Sequence, residues 1–134
     1  MSAQPRPVPT DWSRRFWTAL HDDGVFLLQR CDACGEFVGY PKIFCPHCYS
    51  DNLGWHVASG RGVVYTYSTV TANPPSTFLD ELPYTIAIVQ LDEGPRFLTR
   101  LVDVDPADVR CGMTVKVSIT RLDETLSMPL FAPA

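Results

Sequence analysis

Four cysteines fall within eighteen residues, as Cys31-Asp-Ala-Cys34-Gly35 and Cys45-Pro-His-Cys48, and no other feature restricts the fold of this chain so tightly. Each C-x-x-C closes a tight turn whose two thiolates can point at one centre. Two such turns supply the tetrahedral sulfur set that zinc prefers, at ~2.3 Å per bond. Gly35 follows the second cysteine, where a positive φ lets backbone N–H groups turn toward the sulfurs. Four protein ligands leave no position open for water or substrate. Cys31, Cys34, Cys45 and Cys48 are therefore expected to hold one ion, zinc, in a structural site. Iron is the alternative metal, and two disulfides or free thiols are the alternatives to a metal. His47 lies between two ligands and is expected to stay outside the coordination sphere. Zinc binding to such modules contributes ~10–16 kcal/mol, so this segment should fold with metal and melt without it, leaving the β structure elsewhere in place.

The rest of the 134 residues suits one domain, or one domain with a metal-bound appendage. Twelve prolines and eight glycines imply many turns and short strands. After a proline-rich lead-in over residues 1–9, Thr10 or Asp11 can cap a helix running to about His21, with Gly24 ending it. Trp12, Phe16, Trp17, Ala19 and Leu20 form its apolar stripe, and Arg14 and Arg15 lie off it. So heavy an aromatic load either packs on the protein's own core or docks on another protein. Trp12, Phe16 and Trp17 are the candidate partner-binding residues. Val25–Arg30 reads as a strand entering the first cysteine pair. From Gly60-Arg-Gly62 onward five strands are expected, at 63–70, 84–92, 96–103, 114–121 and 126–131. Asp92–Pro95 makes a tight hairpin, and residues 73–83 form a long loop. This pattern suggests a five-stranded Greek-key barrel of the OB type. The chain is thus expected to be mainly β, with a lead-in and helix over 1–24, a metal ribbon over 25–59 and an OB-fold over 60–134.

Charge and missing motifs narrow the function. Residues 1–61 hold six basic and six acidic side chains, and residues 62–134 hold five and nine, so the β half carries the whole net charge of −4. An acidic barrel is poor chemistry for a phosphate backbone, which disfavours a single-strand nucleic-acid binder. An iron-loaded electron carrier is a third class of reading. No phosphate-binding glycine loop or nucleophile elbow occurs. Cys111 has no histidine near it in sequence and reads as an incidental thiol. The carboxylate pairs Asp22/Asp23, Asp80/Glu81, Asp92/Glu93 and Asp123/Glu124 sit at turns, as solvated charges do. The first residues carry no apolar leader, and no run approaches the ~20 apolar residues of a membrane span. The expectation is a cytoplasmic protein with reduced thiols and no membrane partner.

Together the segments "LLQRCDACGEFVGYPKIFCPHC", "SGRGVVYTYSTV", "LPYTIAIVQLDEG" and "DVRCGMTVKV", followed by "MPLFAP", resemble the zinc-ribbon/OB-fold acyl-CoA-associated family, formerly a domain of unknown function. The likeness covers about residues 12–133. It implies a rubredoxin-like zinc ribbon ligated by Cys31, Cys34, Cys45 and Cys48, and an OB-fold whose motifs fall on Gly60, Gly62, Pro83, Tyr84, Gly112 and Met113. It also implies a non-catalytic partner subunit of a thiolase-superfamily enzyme, in which the partner supplies the nucleophile. Acyl-CoA is anionic, so contact with it would fall to Arg14, Arg15, Lys42 and Arg61 in the neutral half. Symmetry suggests a heterotetramer of two plus two.

Overall fold

The computed structural model describes residues 6–134. Residues 1–5 of the expected lead-in lie outside the described residues. A short helix, α1 (Arg14–Thr18), runs into a single π-helical turn over Ala19–Asp23. Three strands follow, β1 (Leu27–Cys31), β2 (Phe37–Val38) and β3 (Leu53–Val57), paired antiparallel in the order β2-β1-β3. The remaining strands are β4 (Arg61–Val70), β5 (Tyr84–Leu91), β6 (Arg96–Leu101), β7 (Thr114–Arg121) and β8 (Ser127–Pro133). They close into a barrel in the order β4-β5-β6-β8-β7. The chain is mostly β, as expected. Among the described residues no helix is long and apolar enough to cross a membrane.

The helix differs from the expected one in detail. The Thr10 carbonyl accepts the N–H groups of Ser13 and Arg14, at 3.1 and 2.8 Å, and the Ser13 hydroxyl accepts the Thr10 N–H at 2.8 Å. The α-helix itself begins at Arg14 with Ser13 at its N-cap and no side-chain capping bond, so neither Thr10 nor Asp11 is the cap. At the far end Gly24 (φ 63°) and Val25 both donate to the Ala19 carbonyl, so the helical turns run past His21 to Asp23. The wider last turn sets His21 against the β7–β8 turn, with Nδ1 2.8 Å from Ser127 Oγ and Nε2 2.7 Å from the Glu124 carbonyl.

One apolar cluster runs through all three segments. Phe16, Trp17 and Leu20 from the helical turns meet Phe26 and Leu28 at the ribbon, then Val64, Val89, Phe97, Val115 and Phe131 of the barrel. Tyr40 lies flat on Phe97, with ring centroids 4.0 Å apart, and donates its hydroxyl to the Leu98 carbonyl at 2.9 Å. Burial raises the Tyr40 phenol well above its usual range, which keeps it a donor. Gly62 shows why this barrel tolerates no side chain at that point. A Cβ there would lie 2.5 Å from the Gln90 carbonyl oxygen and 2.7 Å from Val89 Cγ1.

Candidate metal centre

The end of β1 delivers Cys31, and the chain then turns twice in the same way. Cys31 N–H donates to the Glu36 carbonyl at 2.9 Å, and Gly35 N–H to the Cys31 carbonyl at 2.8 Å. Fourteen residues later Cys45 donates to Ser50, and Tyr49 to Cys45, both at 2.8 Å. The two loops are thus the same structure repeated. The residue after the second cysteine has positive φ in each, Gly35 at 79° and Tyr49 at 66°. Glycine marks the first loop in the sequence, whereas a tyrosine conceals the second. Left-handed backbone costs a non-glycine residue roughly 1–2 kcal/mol, which the second loop bears.

Cys31 Sγ lies 3.5 Å from Cys48 Sγ, and Cys34 Sγ 3.7 Å from Cys45 Sγ. All four sulfurs fall within 4.8 Å of one another. Four ligands ~2.3 Å from a common centre stand about 3.8 Å apart, so the set fits a tetrahedral ion. A disulfide needs ~2.05 Å, which rules out the paired-disulfide alternative in this structure. Backbone N–H groups converge on the sulfurs, with His47 N–H 3.4 Å from Cys45 Sγ. The Cys34 N–H, ahead of that of Ala33, draws the Cys31 thiol down to about 7 against the opposing effect of burial. The Glu36 N–H pulls Cys34 down, but burial and the thiols of Cys45, Cys31 and Cys48 together push it up to about 12. Cys48 is raised despite the Ser50 N–H, by the Cys31 thiol and burial. One thiolate thus forms readily among four crowded sulfurs, and a cation is what would hold all four.

A residue with no sequence signal fixes the approach to the second loop. The buried Gln29 side chain accepts the Lys42 N–H at 2.8 Å and donates to the Lys42 carbonyl at 3.1 Å. This clamp ties the segment before Cys45 onto β1.

With that geometry in view, the comparisons with known proteins fall into place. The ChsH2 rubredoxin-like zinc ribbon domain matches residues 20–54, and the ChsH2 C-terminal OB-fold domain matches residues 55–120. A DUF35 domain-containing scaffold protein of Pyrococcus furiosus is 34% identical over 110 residues, covering 82% of this chain and 79% of that protein. The chain belongs to the DUF35 family. A probable enoyl-CoA hydratase alpha subunit of Thermomonospora curvata is 35% identical to it over 131 residues. That match covers 98% of this chain but only 40% of the relative's length. A solved structure described as "Ltp2-ChsH2(DUF35) aldolase" superposes with a TM-score of 0.80 at 34% identity, covering 96% of this chain and 98% of that one.

The other expected site residues of this DUF35 chain scatter. Phe16 is fully buried and Trp17 nearly so, which corrects their assignment to a partner surface. They belong to the shared core, where the Phe16 ring meets those of Trp17, Phe26 and Tyr40. Trp12 stays 44% exposed. It borders a groove of about 520 Å³ with Ile43, Phe44, Pro46 and Tyr49, beside Cys45 of the four-cysteine cluster. Arg15 and Lys42 line an adjoining cleft of about 250 Å³ with Trp12 and Trp55, while Arg14 pairs with Asp11 at 3.2 Å. Arg61 starts β4 opposite Lys116 of β7 and does not line that cleft.

Proposed function

We propose that this chain is the non-catalytic accessory subunit of a thiolase-superfamily enzyme acting on acyl-CoA or a related acyl substrate. In this reading it stabilises the complex and contributes to acyl-CoA binding. The observation that carries the reading is the near full-length likeness, at 34% identity and a TM-score of 0.80, to the chain described as an Ltp2-ChsH2(DUF35) aldolase. A relative named as a hydratase alpha subunit and another named as a scaffold protein support it from two further directions. In this proposal zinc at Cys31, Cys34, Cys45 and Cys48 makes the ribbon rigid, which presents the exposed Trp12 face to the partner. Arg15 and Lys42, with Arg14 nearby and Arg61 on the barrel, are the cations proposed for the anionic end of the acyl-CoA. Reduced thiols suit a cytoplasmic setting.

Co-expression with the thiolase-like chain encoded nearest to this one tests the reading. The expected result is co-elution as a two-plus-two heterotetramer, with the partner losing activity or solubility when made alone. Separate elution, with partner activity unchanged on mixing, would overturn it.

A further inference from the structure

The barrel is least regular where its one parallel pair meets. β6 and β8 share a single register pair, Leu101 opposite Phe131, followed by a Val102 N–H bond to the Phe131 carbonyl. Ahead of that point side chains replace the ladder. Thr99 donates its hydroxyl to the Pro129 carbonyl at 2.8 Å, and Tyr40 donates to the Leu98 carbonyl. Pro129 has no N–H to offer across the gap. The strands therefore part, and a cavity of about 390 Å³ opens along the seam. That volume lies within the ~300–1,000 Å³ range of small-molecule pockets.

Its walls are hydrocarbon and aromatic: Phe78, Tyr84, Ile86, Leu98, Leu122 and Met128. Leu98 is 59% exposed and Ile86 41%, so large apolar side chains at the rim remain in contact with water. Covering such surface is favourable by ~25 cal/mol per Å². One cation, Arg100, stands in the wall, directly across from Ile86 on the neighbouring strand. Its ion pair with Glu81 is long, 3.8 Å. Glu81 belongs to a 3₁₀ turn, Ser76–Glu81, that buries none of its own residues and lies over the cavity through Phe78, 5.5 Å from the Tyr84 ring. A guanidinium at the edge of an apolar pocket receives a carboxylate in a two-pronged hydrogen bond.

We propose that this seam is a binding site for an amphipathic carboxylate. The hydrocarbon lies against Tyr84, Leu98 and Leu122, and the carboxylate replaces Glu81 on Arg100. The site is distinct from the cleft at Arg15 and Lys42, and it stands whether or not the chain is an accessory subunit.

The test uses the full 134-residue chain loaded with zinc and titrated with decanoate or decanol, followed by calorimetry and backbone-amide NMR. Decanoate is expected to saturate one site, to shift the amides of Tyr40, Tyr84, Leu98 and Arg100, and to bind at least tenfold more tightly than decanol. Arg100→Gln should remove that preference and leave decanol binding unchanged. Leu122→Trp, which fills the cavity from a partly exposed position, should abolish binding of both ligands. Binding that does not saturate, shifts confined to the ribbon groove, or equal affinity of the unaltered chain for the two ligands would each overturn the proposal. The decanoate–decanol comparison holds even if a variant fails to fold.

Discussion

Truncating Phe26 asks whether ribbon and barrel are one folding unit. Phe26 is 4% exposed, and its ring centroid lies 6.1 Å from that of Phe16, 5.2 Å from Phe97 and 6.1 Å from Phe131. One side chain therefore touches the helical turns, β6 and β8. Deleting a buried phenylalanine costs about 3–5 kcal/mol through lost burial and the cavity left behind. Against a typical total of ~5–15 kcal/mol this is a large fraction, and it corresponds to a fall in Tm of roughly 10–20 °C. The assay needs two probes on the zinc-loaded Phe26→Ala chain. All three tryptophans, Trp12, Trp17 and Trp55, precede the barrel, so fluorescence reports the helix and ribbon. Far-UV circular dichroism is dominated by the barrel strands. Both transitions should coincide and move together. A fluorescence midpoint that falls while the dichroism midpoint stays would refute the shared core and restore a separable ribbon. The same coupling revises the expected effect of chelation, since metal loss should lower both signals through Phe26 and Tyr40.

Three further outcomes are expected. Gly62→Ala places a Cβ 2.5 Å from the Gln90 carbonyl, so it should destabilise by about 1–3 kcal/mol in a thermal melt; an unchanged Tm would contradict that close approach. Trp12→Ala should leave stability within ~0.5 kcal/mol, whereas Phe16→Ala should cost about 3–5 kcal/mol, as read by denaturant titration. Metal affinity should weaken as pH falls, because metal displaces thiol protons. With the Cys31 thiol drawn down to about 7, that thiol is already ionised above this pH and must give up a proton below it. Cobalt titrations read by thiolate absorption should therefore show a steeper pH dependence below about 7, and an affinity flat with pH would be inconsistent with thiolate ligation.

How much could be read in advance depended on how local each signal was. The four-cysteine cluster was legible because a C-x-x-C turn needs only its own few residues, and both turns here close through their own backbone hydrogen bonds. The barrel strands were legible because their alternation is local: β7 spans 114–121 as expected, and β5 ends one residue early, at Leu91. β2 is two residues long and carries no period, and β3 (Leu53–Val57) contains a glycine and no clear alternation, so neither stood out. Tyr49 could not be foreseen in a left-handed conformation, since only the repeat of the first loop demands it. The Gln29 clamp joins residues thirteen apart, and its sequence looks like any polar strand residue.

The sequence alone settled where a metal can sit, which segments form the barrel strands, and that the negative charge belongs to the barrel, because spacing, alternation and charge are properties of neighbours along the chain. Only the tertiary structure decided which aromatics face water. Phe16 and Trp17 share a stripe with Trp12, yet the first two are buried in the core shared with the barrel, and the third borders an open groove. The seam cavity likewise arises where β6 and β8 part, a consequence of how distant strands close a barrel. Burial is decided by what packs from elsewhere in the chain, and no stretch of sequence carries that information by itself.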